Sequence, residues 1–352
     1  MKSKHKGLIL LLLVIVASGV YGVFKNNQAP HVQIKGYIGG EKIGLIEDEQ
    51  VKKILNKKYA MDFDYQKAGS YDMIRANHTE QDYLWPSSQT ALDLYEKTYG
   101  KPKQNEIIFN TPIVIYSRKA VADSLINSGY VKQDNGIYYM DMAKFLPVLE
   151  NSTKWRDIGV DLYDTVVVHT TNPSKSNSGN MFSGLLANML AGGSVVTEQN
   201  MQSVIPKLKA ITSRLGFTES SSSDLFSQFL KLGVGARPLV AGYESQLIEF
   251  ANTNPQDYNQ IKDDVVMIYP VPTVWSSHVF IALTDNGRRV IPAMMDEEIQ
   301  QIAWEKHGFR TGVNTARANT DSLPVYGVAP VIKDIIQMPS SNVMLNIINA
   351  LE

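Results

Sequence analysis

Apolar and polar positions alternate in blocks along the chain. Val32 to Tyr37 reads as a strand that ends in a Gly39-Gly40 turn. Asp48 then opens a helix with Val51, Ile54 and Leu55 at helical spacing. Met61 to Gln66 alternates as a second strand, and a short helix is expected from Asp72. A short strand ends at Leu84-Trp85-Pro86, and Ser87-Ser88 caps a helix running to about Tyr99. This strand–helix alternation predicts a parallel sheet covered by helices. Further on, the pattern predicts a long strand over Ile107–Tyr116, helices over Ala120–Ile126 and Asp141–Glu150, and a strand over Thr165–His169. A helix follows over Asn180–Leu190. The polar run Glu219 to Asp224 reads as the cap of a helix around Leu225–Leu230. Strands are expected over Pro238–Ala241, Val265–Tyr269 and Val279–Leu283, with a helix starting near Tyr243. Asp296 caps a helix that stops at Gly308, and an amphipathic helix spans Ser341–Leu351. No internal repeat of fixed period is present.

At 352 residues the chain is long enough for two domains or two lobes. Its 44% apolar and 20% charged residues exclude a disordered chain or a polytopic membrane protein. With no cysteine, disulfides, cysteine metal sites, a cysteine nucleophile and a lipid-anchored cysteine are all excluded. Lys2, Lys4 and Lys6 precede an uncharged run from Gly7 to Phe24, the pattern of a signal peptide or signal anchor. The poor match of Ala17-Ser18-Gly19 to a cleavage site favours an uncleaved, single-pass cell-membrane anchor with an extracellular body, or a secreted body if it is cut. The four lysines of residues 1–30, set against 34 basic and 35 acidic residues in all, leave a mildly acidic body. Such a body has no electrostatic footprint for nucleic acid.

Enzymatic signatures are missing. Gly39 and Gly44 stand at phosphate-loop spacing, but Leu45-Ile46 replaces the Lys-Ser/Thr pair. No nucleophile elbow and no zinc-protease motif occurs, and no two of the six histidines make a metal spacing. His169 ends a strand and reads as a core histidine rather than a ligand; His278 and His307 read as surface residues. Ser174-Lys175-Ser176 lacks the companion motifs of a serine–lysine hydrolase. The expectation is no catalytic residue, no metal and no cofactor.

What the chain does offer is a set of glycine and hydroxyl loops at helix starts. Gly39-Gly40, Ser87-Ser88, Ser174 to Gly179 and Gly242-Tyr243-Glu244 each place backbone N–H groups at the carboxyl end of a strand. Free N–H groups there favour an anion or polar ligand. For any single loop plain helix capping is the better explanation, because serine is a preferred N-cap anyway; several such loops at corresponding places are less easily explained that way.

In their order these segments resemble type 2 periplasmic solute-binding proteins, the two-lobed binding components of ABC importers. Asn172-Pro173-Ser174-Lys175-Ser176-Asn177-Ser178-Gly179 is similar to the second-lobe ligand loop of molybdate- and sulfate-type members. Ile108–Tyr116, with Asn110-Thr111-Pro112, and Val266–Pro270 resemble the two hinge crossings. Glu298 to Gly308-Phe309-Arg310 resembles a late helix and its closing turn. A membrane-tethered branch is more similar still, through Gly39-Gly40-Glu41-Lys42, Trp85-Pro86-Ser87-Ser88 and Tyr243-Glu244-Ser245-Gln246. The von Willebrand domain sometimes fused to that branch is not represented.

The resemblance covers residues 32–312. It implies an α/β fold of two lobes, each a mixed sheet flanked by helices, behind an N-terminal membrane helix. Residues 1–30 would be anchor and linker, 31–115 plus 271–352 the first lobe, and 116–270 the second. It implies capture of a small polar or anionic solute in the inter-lobe cleft, with an ABC permease as partner. The expected ligand-binding residues are Gly39, Gly40, Ser87, Ser88, Ser176, Asn177, Ser178, Tyr243 and Glu244. A carboxylate at Glu244 beside a dianion would be repulsive, and suits an amine, a cation or a hydroxyl-bearing ligand; alternatively it is a first-turn acid serving the helix dipole. Tyr37, Trp85, Tyr243 and Trp275 are candidates to stack on an organic ligand. Two other readings remain: a sensory or assembly module that binds an envelope protein, and an enzyme on the same fold.

Overall fold

The computed structural model describes residues 30–216, 219–311 and 319–352. Three parallel strands open the first lobe: β1 (Val32–Ile38), β2 (Met61–Lys67) and β3 (Tyr83–Trp85), with β1 in the middle. Two antiparallel strands extend this sheet, β9 (Trp275–Ala282) beside β3 and then the first half of β4 (Gln104–Arg118). The second half of β4 belongs to another sheet. There it pairs antiparallel with β7 (Leu239–Tyr243) and β8 (Val265–Val271), and β8 pairs in parallel with β6 (Ile137–Asp141), which forms a hairpin with β5 (Val131–Asp134). Both sheets are mixed and flanked by helices, so the architecture is a two-lobed α/β fold.

The chain crosses between the lobes within β4 and returns between β8 and β9. Thr273 Oγ1 donates to the Ile113 carbonyl at 2.7 Å, and Ile113 N–H donates to the Val274 carbonyl at 3.1 Å, so the crossings are tied together. The first lobe is filled by Trp85, Phe109, Phe280 and Phe309, whose rings meet at 5.2 to 5.9 Å between centroids. The second has its own core, with Phe145, Trp155, Phe182 and Leu185 buried. Val343, Met344 and Ile347 of the final helix, Ser341–Leu351, pack in that second core, although their position in the chain follows first-lobe strands.

Several expectations need correction. The strand expected over Thr165–His169 is reduced to isolated bridges, Lys154 to Thr165 and His169 to Val240. The β5–β6 hairpin was not foreseen. The expected membrane helix falls on residues that lie outside the described ones. No helix among the described residues is long and apolar enough to cross a membrane. A membrane helix within the fold, single-pass topology and attachment through an N-terminal helix thus find no support among the described residues.

The turn after the Glu297–Glu305 helix braces the two lobes. Gly308 has φ 69°, and a Cβ there would stand 2.8 Å from the Ser245 Cα, so only glycine fits without strain. Phe309 then enters the first core. Arg310 turns the other way and forms a two-pronged pair with Glu244, Nε to Oε1 and Nη2 to Oε2 at 2.7 Å each, with neither side chain more than 1% exposed. Tyr269 donates to Glu244 Oε2 at 2.5 Å, and the Ala329 N–H donates to Tyr269 Oη at 3.0 Å. Breaking a buried pair leaves an uncompensated charge. Arg310→Met is expected to destabilise the protein by about 3–5 kcal/mol in urea unfolding. The double variant Glu244→Leu/Arg310→Met should recover part of that loss; if it recovers none, the pair is not what holds this turn.

Candidate functional site

Two strands of the first lobe, β1 and β3, end at one place, and β9 passes beside it. After β1 the chain turns at Gly39 into a single 3-10 turn, Gly40–Lys42. After β3 it reaches Ser87, whose backbone N–H donates to Ser70 Oγ at 3.0 Å. On β9, His278 faces the same point and is fully buried. At the centre lies Lys42, also fully buried. Its Nζ has three partners: Glu41 Oε1 at 2.5 Å, Ser87 Oγ at 2.7 Å and His278 Nδ1 at 3.1 Å. Ser87 Oγ in turn donates to Glu41 Oε1.

This packing sets the charges. Burial alone would raise the Glu41 pKa, but the Lys42 ammonium and its hydrogen bond outweigh it. The carboxyl is held well below the usual carboxylate range. Burial, then the Lys42 charge, pushes the His278 imidazole down to about 4, with Glu41 pulling the other way. Burial also lowers the Lys42 pKa, although Glu41 opposes it. Ammonium, carboxylate and neutral imidazole form one unit.

The second lobe meets this unit through the start of the Asn177–Leu190 helix, whose N-cap is Ser176. Asn177 Nδ2 donates across the cleft to the Ser87 carbonyl at 2.8 Å. It also lies 3.1 Å from Tyr243 Oη and 3.4 Å from Ser276 Oγ. Because Ser87 O can only accept, Nδ2 must be the nitrogen, and the other amide atom, Oδ1, is buried with no partner among the described residues. Nearby, a Cβ on Gly69 would stand 2.6 Å from the Lys175 carbonyl oxygen, so the lobes touch backbone to backbone there.

Between the lobes lies a cavity of about 350 Å³. Gly39, Gly40, Ser87, Ser176 and Asn177 all line it, together with Glu41, Lys67 and the Ser220–Asp224 segment. The remaining expected residues are elsewhere. Ser88 caps the Gln89–Tyr99 helix, accepting from the Thr90 N–H at 3.2 Å. Ser178 is fully buried and bonded to Thr171 Oγ1 at 2.8 Å. Tyr243 is buried behind Asn177. Glu244 does not face the cleft: Arg310 and Tyr269 consume its carboxylate. Of the proposed stacking aromatics, Trp85 is core, and Tyr37 and Trp275 line neither this cavity nor its larger neighbour described below.

His278 and His307, expected on the surface, are buried; His307 Nδ1 pairs with Glu249 Oε1 at 2.8 Å. Glu41, Lys42, His278 and Asn177 Oδ1 carry most of the cleft's chemistry, and three of these were missed. Gly-Gly-Glu-Lys after a strand was the available signal. Among the described residues no three His, Asp or Glu side chains are placed to hold a metal ion.

No family model and no curated protein matches the sequence. Solved structures share the fold. Iron-bound HitA from Pseudomonas aeruginosa is 10% identical, with a TM-score of 0.60 over 91% of this chain and 99% of that one. The sulfate-binding protein SubI from Mycobacterium tuberculosis H37Rv is 14% identical, with a TM-score of 0.54 over 88% and 94%. The substrate-binding protein of an ABC transporter from Agrobacterium tumefaciens is 14% identical, with a TM-score of 0.55 over 93% and 96%. These similarities correct the narrower resemblance. They place the fold among periplasmic and extracellular solute-binding proteins whose ligands differ widely, and they single out neither the molybdate/sulfate type nor a membrane-tethered branch.

The buried imidazole makes stability depend on pH. An unfolded histidine protonates near 6.5, and His278 in the folded chain near 4. Between those values the unfolded chain binds more protons, so stability falls as pH drops from 6.5 to 4. The loss from His278 is on the order of 3 kcal/mol. His169 adds to it, since burial and then the Arg237 charge push it down to about 4 as well. Urea midpoints measured across this range should show the fall, and His278→Gln should flatten it. An unchanged slope in that variant would mean His278 does not stay neutral in the folded state.

Proposed function

We propose that this chain is a non-enzymatic solute-binding protein that captures a small polar solute between its lobes and presents it to the permease of an ABC-type importer. The observation that carries this reading is the convergence of Gly39, Gly40 and Ser87 from one lobe with Ser176 and Asn177 from the other on a single cavity. The solved structures of the same fold named above are binding proteins, which supports the same reading. In this proposal residues 31–115, with the returning segment from β9 through Phe309, supply one jaw, residues 116–270, joined by the final helix, supply the other, and β4 with the β8–β9 connection forms the hinge. Ligand binding shifts an open–closed equilibrium by contacting both jaws only when they are shut. Asn177 is the latch, reaching from the second lobe to the Ser87 carbonyl.

Native mass spectrometry of the purified protein tests for a retained small molecule. In thermal melts, a true ligand at a hundredfold excess over its Kd should stabilise the fold by about 2.7 kcal/mol. Failure of every compound class to do so, with nothing co-purified, would favour an envelope-protein partner instead.

Closure has its own test. Gly69→Val places a side chain against the Lys175 backbone and should oppose closure by about 1–3 kcal/mol. Ligand affinity should fall accordingly, while the unfolding midpoint without ligand stays close to that of the parent. X-ray scattering should then show no contraction on adding ligand; normal contraction and affinity would mean the lobes do not close at Gly69.

A further inference from the structure

We infer, building on the solute-binding reading above, that the cleft selects a primary amine with an apolar or aromatic body, its ammonium donating to the Glu41 carboxylate and to Asn177 Oδ1. Two independent features of the cleft define the head. Glu41 Oε1 is taken up by Lys42 and Ser87, while Oε2 forms no hydrogen bond among the described residues. The carboxylate folds back over the first glycine loop, so that a Cβ on Gly39 would stand 2.4 Å from Oε1. The hydroxyl and loop that would hold an oxyanion are thus already facing an anion built into the chain. A second anion would sit beside it, and moving Glu41 aside would strip the buried Lys42 of its counter-charge. The second feature is Asn177, which is 8% exposed and whose Oδ1 lacks a partner among the described residues. Its nitrogen is committed to Ser87, so Oδ1 can only accept. A carboxylate and an amide oxygen together call for a donor, and an ammonium supplies three N–H groups and the opposite charge.

The body follows from the adjoining space. A cavity of about 640 Å³ meets the smaller one along Gly40, Glu41, Lys67, Ser222 and Ser223. Beyond that wall its apolar lining is Ile43, Phe226, Leu230, Phe250 and Ile261, with polar groups such as Gln246 and Glu249 between them. Lys67 and Lys175, which also line the smaller cavity, are exposed, and Lys67 Nζ is turned to Ser221 Oγ at 3.5 Å, whereas Glu41 is half-buried and Asn177 buried. A cationic head reaching Glu41 therefore leaves an apolar body against the phenylalanines.

Isothermal titration of the purified protein with phenethylamine, ethylamine, 2-phenylethanol, sulfate, molybdate and glucose tests this. Phenethylamine should bind at least tenfold more tightly than ethylamine, which lacks the body, and than 2-phenylethanol, which lacks the charge. Glu41→Gln, checked by circular dichroism for folding, should weaken phenethylamine at least tenfold. The ligand pair alone decides the matter if that variant does not fold. Equal affinities for phenethylamine and 2-phenylethanol, or undiminished binding by Glu41→Gln, would overturn the amine. Tighter binding of sulfate, molybdate or glucose would also overturn it while leaving solute capture intact. Silence in every arm would remove both.

Discussion

Keeping the Lys42 ammonium out of water is costly unless each of its hydrogens finds an acceptor. The fold meets that demand with groups from two strand ends and one mid-strand position: Glu41 after β1, Ser87 after β3 and His278 within β9. The consequences spread outward. Glu41 stays ionised and pinned above Gly39, Ser87 is held with its carbonyl facing the second lobe, and His278 stays neutral. The floor of the cleft is therefore rigid before any solute arrives, and rigidity of this kind lowers the ordering cost of binding.

The other half of the device is mechanical. A strand shared by two sheets can flex at the crossing without losing either sheet, and β4 is such a strand. The Glu244–Arg310 pair sits beside that crossing rather than in the cleft, and the Phe309 ring anchors the same turn in the first core. Charge at the hinge and charge at the floor thus do separate jobs. One fixes how the second-lobe Glu244–Thr253 helix meets the turn, and the other holds the floor of the cleft. Asn177 connects them, because its helix starts beside Tyr243 and its amide reaches Ser87.

Local pattern made much of this legible. Glycine after β1, serine after β3 and serine before the Asn177 helix stand where strand ends meet helix starts, and that is enough to bring Gly39, Ser87 and Ser176 to one cavity. What pattern could not show is which neighbour of a loop residue turns inward. Glu41 and Glu244 are both first-turn acids next to a candidate loop; only tertiary packing gives one the cleft and the other Arg310. His278 lies on an alternating strand, but the buried lysine that makes it useful arrives from a segment more than two hundred residues away. The β5–β6 hairpin was readable and overlooked. Asn135 and Gly136 both have positive φ, 50° and 82°, as a tight two-residue hairpin turn demands. The Glu219–Asp224 run reads as the cap of a helix, and Ser221 is indeed the N-cap of the Ser222–Lys231 helix; its place on the cavity wall depends on how the lobes meet.

The Ser87–Lys42 contact at 2.7 Å raises the question of chemistry, since a serine beside a buried lysine is one arrangement for an activated nucleophile. The hydrogen bonding argues the opposite. A lysine base must present a lone pair, whereas Lys42 faces three acceptors, a number that matches the three hydrogens of an ammonium. The Ser87 hydrogen is directed at Glu41, not at Nζ. Removing a proton from Lys42 would leave the Glu41 carboxylate buried without its counter-ion, at a cost comparable to breaking any buried ion pair. The cluster is thus organised to keep a charge in place rather than to pass a proton along, an arrangement that a nucleophile cannot use.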